Sequence, residues 1–281
     1  MKKTIIIYHA DCIDGTTAAA IALRKFPDAH FFPLSHSHTD EAVKSILDVA
    51  HDATIFILDC ALIVDELLAA GHSVTVLDHH ETAREEMQKR AASESRLTYI
   101  FDIEKSGASL AWTYFFPAEQ MPRMVQYVED ADLWRWQYGD AARDTMSYLS
   151  MLRDDPVRML DALTTEIDVI IEKGHTLSEY ADREIQEQVS ILPNEMKIDA
   201  YRVPAYNITV YTSASGNILS EQQGSVVALY TIKGPNVRIS FRSKEGQTPT
   251  ARMVAEILGG GGHDHASGAS VPFADFLKMI S

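Results

Sequence analysis

Short apolar runs alternate with longer amphipathic ones through the first hundred residues. Residues 4–8 (TIIIY) are apolar and mostly β-branched, and residues 15–26 (GTTAAAIALRKF) carry alanine-rich helical periodicity. The pattern repeats, predicting strands at 30–34, 53–58 (ATIFIL), 73–77 (SVTVL) and 98–101, with helices at 40–50, 64–70 and 81–91 between them. Strands apolar along nearly their whole length and separated by helices belong to a parallel sheet covered on both faces. Residues 106–116 and 123–130 then continue as helices.

From Pro156 to about Leu192 the pattern is helical, with a break expected near Gly174. After Pro193 it turns to β: a strand at 208–211, then VVALYTIK and VRISFRS joined as a hairpin around Gly234-Pro235-Asn236. A last helix at 250–258 runs into GGGGHDHASG. The expected fold class is α/β. A parallel-sheet domain covered by helices spans 1–155, a helical linker 156–194, and a smaller α/β domain 195–281.

Charge and cysteine content narrow the partners. With 25 Lys and Arg against 40 Asp and Glu, the net charge of −15 disfavours stable binding to long DNA and leaves small phosphorylated substrates. Two cysteines, Cys12 and Cys60, make no disulfide framework, which fits a reducing compartment. The apolar run behind the basic tip is too short for a signal peptide, and no segment approaches a membrane span. A cytoplasmic protein without a membrane partner is expected, with a homodimer left open.

The chemistry collects where strands end. TIIIY is followed by His9-Ala10-Asp11-Cys12-Ile13-Asp14-Gly15, TIFIL by Asp59, and VTVL by Asp78-His79-His80. Parallel strands bring such carboxyl-end residues to one edge of the sheet. One aspartate after a strand is often a helix cap, but four aspartates and three histidines from three strands exceed that role. Gathered carboxylates cost several kcal/mol unless cations neutralise them. Carboxylate and imidazole donors suit manganese best, with magnesium, iron or zinc as alternatives. The number of carboxylates points to two ions, which in such sites lie ~3.5–4 Å apart and activate a hydroxide for in-line attack on phosphorus.

The Asp78-His79-His80 triplet after an apolar strand, the N-terminal H-x-D-x-x-D-G element, the strand-end Asp59 and the C-terminal GGGGH together resemble the DHH phosphoesterase superfamily. Ser106-Gly107-Ala108 before a helix, and Glu129 to Trp134, are similar to further elements of its oligoribonuclease-like members. The resemblance implies a catalytic DHH domain followed by a DHH-associated substrate-binding domain. It also implies a manganese-dependent phosphoesterase that hydrolyses phosphodiester bonds of short oligoribonucleotides. Alternatives are a nucleotide 3′-phosphatase, a cyclic-dinucleotide phosphodiesterase or a polyphosphatase, and, outside enzymes, a silent nucleotide-binding regulator.

By the same resemblance, His9, an aspartate of the first element and Asp59 hold one manganese. Asp14, Asp59, His79 and Asp130 hold the other, with Asp59 bridging. Asp78 orients its neighbours and His80 faces the scissile phosphate. The family commonly spaces its first two aspartates as D-x-D, whereas Asp11 and Asp14 here stand three apart, with Cys12 two before Asp14. Asp11 is the expected ligand and Cys12 the alternative. Asp130 is expected over Asp132, because Asp132-Leu133-Trp134 reads as packing.

The glycine run makes a separate case. One glycine suffices for a helix cap, whereas four before His263 leave a bare backbone able to cradle an anion. Arg242, at the end of VRISFRS, offers a bidentate phosphate contact. The resemblance gives Arg242, Gly260, Gly261, Gly262 and His263 the substrate's phosphate or nucleotide end. His36 and His38 read as solvated loop residues, Trp112, Trp134 and Trp136 as packing residues, and Cys60 as a small buried residue.

Overall fold

A computed structural model describes residues 3–280. Its contacts divide the chain into two compact units, Met1–Ser178 and Glu179–Ser281. The first unit begins with five strands: β1 (Lys3–His9), β2 (His30–Leu34), β3 (Ala53–Leu58), β4 (Val74–Asp78) and β5 (Leu97–Phe101). Between them run α1 (Ile13–Lys25), α2 (Asp40–Val49), α3 (Val64–Ala69) and α4 (Glu81–Ser93). After β5 come α5 (Gly107–Phe115), α6 (Arg123–Asp132), α7 (Asp140–Leu149), α8 (Pro156–Leu163) and α9 (Ile167–Val189).

The strands pair in the order β2-β1-β3-β4-β5, all parallel. Period-two alternation explains why they are apolar throughout. Ile6, Tyr8, Phe56, Leu58 and Leu77 point to one core, with Ala18 to Ala22 of α1 and residues of α5 to α9. Ile5, Ile7, Ile55, Ile57, Val74 and Val76 point to the other, with Ile46, Leu67 and Met87 from α2, α3 and α4. The order reverses at β1: the crossover through α1 leads to β2, and the chain then returns to β3 on the opposite side. Right-handed crossovers put α1 and α2 on opposite faces and leave a crevice at the carboxyl ends of β1 and β3.

Two features of the helical region depart from expectation. Residues 140–149 form α7, which the periodicity did not announce. The break falls at 164–166, before α9, and not at Gly174, which lies inside α9. A Cβ on Gly174 would come within 1.7 Å of the Asp144 carbonyl oxygen. The missing side chain therefore lets α9 lie directly against α7, where Asp144 is also joined by Ser178 and by His175 Nδ1 at 3.0 Å.

The second unit adds β6 (Asn194–Ile198), β7 (Tyr201–Tyr206), α10 (Thr212–Gln223), β8 (Val227–Lys233), β9 (Asn236–Arg242), α11 (Ala251–Ile257), β10 (Gly261–His263), β11 (Ala266–Pro272) and α12 (Phe273–Met279). They form a mixed sheet, β10-β11-β9-β8-β7-β6, in which only β7 and β8 pair in parallel. The β8–β9 hairpin forms as expected, with Lys233 opposite Asn236 and Gly234 at φ 59°. The strand expected at 208–211 lies instead at Tyr201–Tyr206. Pro204 obscured it, yet β8 pairs only with Ala205 and Tyr206, so the missing amide costs no ladder bond on that side. Beyond it, the Ile208 amide turns back to the Tyr206 carbonyl and Tyr211 adopts φ 52° before α10. Helices α10 and α12 and strand β11 were likewise unannounced.

Candidate metal centre

His9 is the last residue of β1, and the chain leaves it through Asp11 at φ 54°. Cys12 is the extended N-cap residue of α1, but its side chain caps no amide. Asp14, in the first turn of α1, is buried, and its carboxylate accepts the amides of Gly107 at 2.5 Å and Ala108 at 2.9 Å. It thus satisfies two orphan donors at the N-terminus of α5, whose other donors are closed by the reciprocal Ser106–Ser109 box.

Asp59 follows β3 with φ 60°, a strained value for a residue with a Cβ. Its amide extends the β3–β4 ladder by donating to Leu77 O at 2.9 Å. The residue is 1% exposed; Oδ1 lies 3.1 Å from His79 Nε2 and Oδ2 3.4 Å from His9 Nδ1. Two glycines make room for it. A Cβ on Gly15 would sit 2.4 Å from His9 O, and one on Gly107 would sit 2.5 Å from Asp59 Cβ and 2.9 Å from Asp14 Oδ2.

At the end of β4, Asp78 Oδ1 accepts the amides of His79 at 2.8 Å and His80 at 3.2 Å, and lies 2.8 Å from His80 Nδ1. The bond fixes the His80 ring and leaves its Nε2 for another partner. His79 Nε2 reaches Asp59 Oδ1 at 3.1 Å, Asp132 Oδ2 at 3.5 Å and Asp14 Oδ2 at 3.8 Å.

Three placements correct the sequence reading. Asp132 joins the cluster, and Asp130 does not: its carboxylate accepts the amides of Gln137 at 2.9 Å and Tyr138 at 3.1 Å, closing the loop after α6. Two positions apart on a helix differ by about 200° in direction, so only one of them can face the site. Asp11 is exposed and belongs to none of the ligand groups found among the described residues, whereas Cys12 does. Trp112 is buried and packs as expected, but Trp134 and Trp136 are 57% and 38% exposed. Cys60 is buried in the core, as expected.

His36, expected as a solvated loop residue, adjoins the cluster. The His36 ring lies 5.5 Å from that of His9, centroid to centroid, and burial, then His9 and His80, lower its pKa. The signal for it is strand pairing: Leu34 is the register partner of His9, so the loop after β2 opens at the level of the site. His38 turns back on Ser35 O at 2.8 Å. A cavity of about 390 Å³ adjoins this loop, lined by residues that include Asp11, Ser35, His38 and Arg153.

Burial opposes protonation of His79, but the Asp59 hydrogen bond and the Asp14 and Asp59 charges outweigh it and raise its pKa to about 9. Asp132 is raised to about 6 by burial and then by Asp59, and Asp14 is pushed well above the carboxylate range by the same causes. Burial acts upward on Asp59 too, yet the His79 hydrogen bond and the nearby His9 and His80 imidazoles hold it low. Without cations the cluster holds itself together with protons. A raised folded-state pKa stabilises fully below the unfolded value, 6.5 for His79, and that stability is lost as pH climbs through about 9. In chelator, unfolding free energy should therefore fall across that window by about 2–3 kcal/mol. Saturating manganese should flatten the decline. Thermal scans from pH 6 to 9 check this, and a flat profile in chelator would contradict it.

His9 Nδ1 and Asp59 Oδ2 are buried and have no hydrogen-bond partner. Buried polar atoms are rarely left so, and a cation would satisfy both. The donors fall into three overlapping groups, His9–Cys12–Asp59, Asp59–His79–His80 and Asp14–His79–Asp132, each with ligand atoms within 4.8 Å of one another. The residues fit divalent metal.

In the second unit, the glycine run serves its own backbone first. Gly259, at φ 72°, and Gly260 cap α11 through bonds to Glu256 O at 3.0 Å and Ala255 O at 2.9 Å. A Cβ on Gly260 would sit 2.1 Å from Gly268 O, and one on Gly262 2.8 Å from Ala266 O. Gly259 and Gly261 have open space where a Cβ would stand, though Gly259 holds a left-handed φ that favours glycine. Arg242 donates to Phe241 O at 2.8 Å and Ser213 Oγ at 2.9 Å. Ala266 pairs with both Arg242 and His263, so these two lie on one face of the sheet, about two strand spacings (~10 Å) apart.

Residues 201–281 match the DHHA1 domain. An uncharacterized protein of Acanthamoeba polyphaga mimivirus is 24% identical over 286 residues, covering 94% of this chain and 66% of that protein. Oligoribonuclease NrnB of Bacillus subtilis is 21% identical over 295 residues, covering 94% of this chain and 72% of that protein. The chain thus spans about two thirds of the length of these relatives. Among solved structures, exonuclease RecJ bound to manganese shares the fold with TM-score 0.56 at 16% identity, over 99% of this chain and 88% of that one. The pGpG-specific phosphodiesterase PggH of Vibrio cholerae does so with TM-score 0.52 at 14% identity, over 99% and 96%. Among the described residues no helix is long and apolar enough to cross a membrane. Residues 201–281 thus carry a DHHA1 domain, and over nearly its whole length the chain is similar to these two relatives and shares the fold of the RecJ and PggH structures.

Proposed function

We propose that this protein is a metal-dependent phosphoesterase that hydrolyses phosphodiester bonds of short oligoribonucleotides with two divalent cations, manganese foremost. The observation that carries the reading is the meeting of His9, Asp14, Asp59, His79 and Asp132 at the switch of the parallel sheet, with two buried donor atoms left without partners. Asp59 would serve both subsites, since it offers Oδ2 toward His9 and Oδ1 toward His79. Asp14 and Asp132 would complete the second subsite. When bound, the cations supply charge neutralisation at the phosphate and activation of an attacking water. Asp78 holds the His80 ring through Nδ1, so that Nε2 is available to a phosphate oxygen. Within the second unit, Arg242 and His263 share one face of the sheet and offer donors to a phosphate.

A nucleotide substrate is favoured over polyphosphate by the residues that follow Asp132. Trp134 and Trp136 are exposed, adopt φ 53° and 51°, and stand edge to face 5.9 Å apart. Exposed aromatic faces beside a phosphate site suit base stacking, worth about 1–3 kcal/mol per base, and polyphosphate has no base to offer. A manganese-supplemented panel of di- to pentaribonucleotides, 3′-phosphoadenosine phosphate, a cyclic dinucleotide and polyphosphate tests the assignment. Highest kcat/KM is expected on the short oligoribonucleotides, and inactivity on them would refute it.

A further inference from the structure

The subsite at the end of β1 differs in donor chemistry from its neighbour. His9 Nδ1, Cys12 Sγ and an Asp59 carboxylate oxygen lie within 4.8 Å of one another. His9 Nδ1 and Asp59 Oδ2 are buried without partners and 3.4 Å apart. Two ligands each ~2.1 Å from one tetrahedral ion stand about 3.4 Å apart, so the pair is spaced as two ligands of a common cation. The third donor in this group is sulfur, since Asp11 is exposed and lies outside it. Cys12 Sγ faces the Gly15 amide in the first turn of α1 but makes no capping hydrogen bond there. The other subsite, Asp14, His79 and Asp132 with Asp59, offers only oxygen and imidazole nitrogen.

We propose that Cys12 is a thiolate ligand of the cation held by His9 and Asp59, which makes this subsite selective for a thiophilic divalent ion such as zinc or ferrous iron. The inference rests on reading the cluster as a metal centre. On binding, the Cys12 S–H bond breaks, a sulfur–metal bond forms and the proton leaves to solvent, with no change of oxidation state. Thiolate favours zinc and iron, whereas carboxylate and imidazole alone suit manganese and magnesium. The two subsites would then fill with different ions from a mixed pool.

The test is titration of the metal-free full chain with cadmium, read by ultraviolet thiolate-to-cadmium charge-transfer absorption and by calorimetry. The wild type should develop the band with one equivalent bound. With only two cysteines in the chain, Cys60→Ser should keep the band and Cys12→Ser should lose it while still taking up an ion at the second subsite. If Cys12→Ser does not fold, the band in wild type and its persistence in Cys60→Ser still assign the sulfur. Cys12→Asp should shift the ratio of zinc to manganese affinity toward manganese by about tenfold or more. Cadmium uptake without the band, or a band that survives in Cys12→Ser, would overturn the Cys12 assignment alone. Absence of any cadmium or manganese uptake by the wild type would overturn the metal-centre reading, and this inference with it.

Discussion

Asp59→Asn should abolish manganese-dependent hydrolysis, lowering turnover by about a thousandfold or more. The residue stands between His9 on one side and His79 on the other, so a single change removes a charged donor from both subsites. Asparagine keeps the shape and the strained backbone position while losing the charge that balances two cations. In protein reconstituted with manganese as the sole divalent ion, bound metal should drop from two per chain to one or none by elemental analysis, with the far-ultraviolet circular dichroism unchanged. Undiminished turnover in a folded Asp59→Asn protein would remove the basis of the proposed function.

Gly107→Ala should do nearly as much damage without touching any ligand. Its new Cβ would lie 2.5 Å from Asp59 Cβ, 2.8 Å from Asp59 Oδ1 and 2.9 Å from Asp14 Oδ2. None of these atoms is the end of a flexible chain, because both side chains are short and buried and Asp14 is bonded to the amides of Gly107 and Ala108. Either α5 backs away or the two carboxylates separate. A displacement approaching 1 Å is enough for about a hundredfold loss of kcat, and overpacking of this kind costs about 1–3 kcal/mol of stability. Activity assays and denaturant unfolding of the variant measure both, and wild-type kcat would show that the carboxylates tolerate the shift.

The strand ends were legible because the same property marks them in sequence and in space. A parallel strand buried on both faces is apolar nearly to its end, so the first charged residue there announces the edge of the sheet, as Asp59 does just after β3 and Asp78 as the last residue of β4. Choices between near neighbours were not legible. Asp130 and Asp132 differ by two positions, and which one meets His79 depends on the rotation of α6 against the sheet. The same holds for Asp11 and Cys12, where the left-handed turn at Asp11 sends that side chain outward. Trp134 and Trp136 looked like core residues because hydrophobicity alone cannot register a loop that holds rings in solvent.

In the C-terminal unit, Gly234 marked a hairpin by chain-local turn chemistry, whereas Pro204 hid β7, whose tolerance depends on where β8 begins to pair. Gly174 read as a helix break and is a contact point, because its role is written in the Asp144 carbonyl thirty residues away.

Periodicity and strand-end chemistry in the sequence by themselves determined a parallel α/β layer with acids and imidazoles along one edge, since these follow from local pattern and from the two-residue repeat of a strand. Tertiary structure alone decided which oxygen, nitrogen and sulfur atoms meet: Asp132 over Asp130, Cys12 over Asp11, His36 beside His9. Those outcomes depend on helix rotation, on strand order and on glycines that admit close approach, none of which is fixed by residues adjacent in the chain.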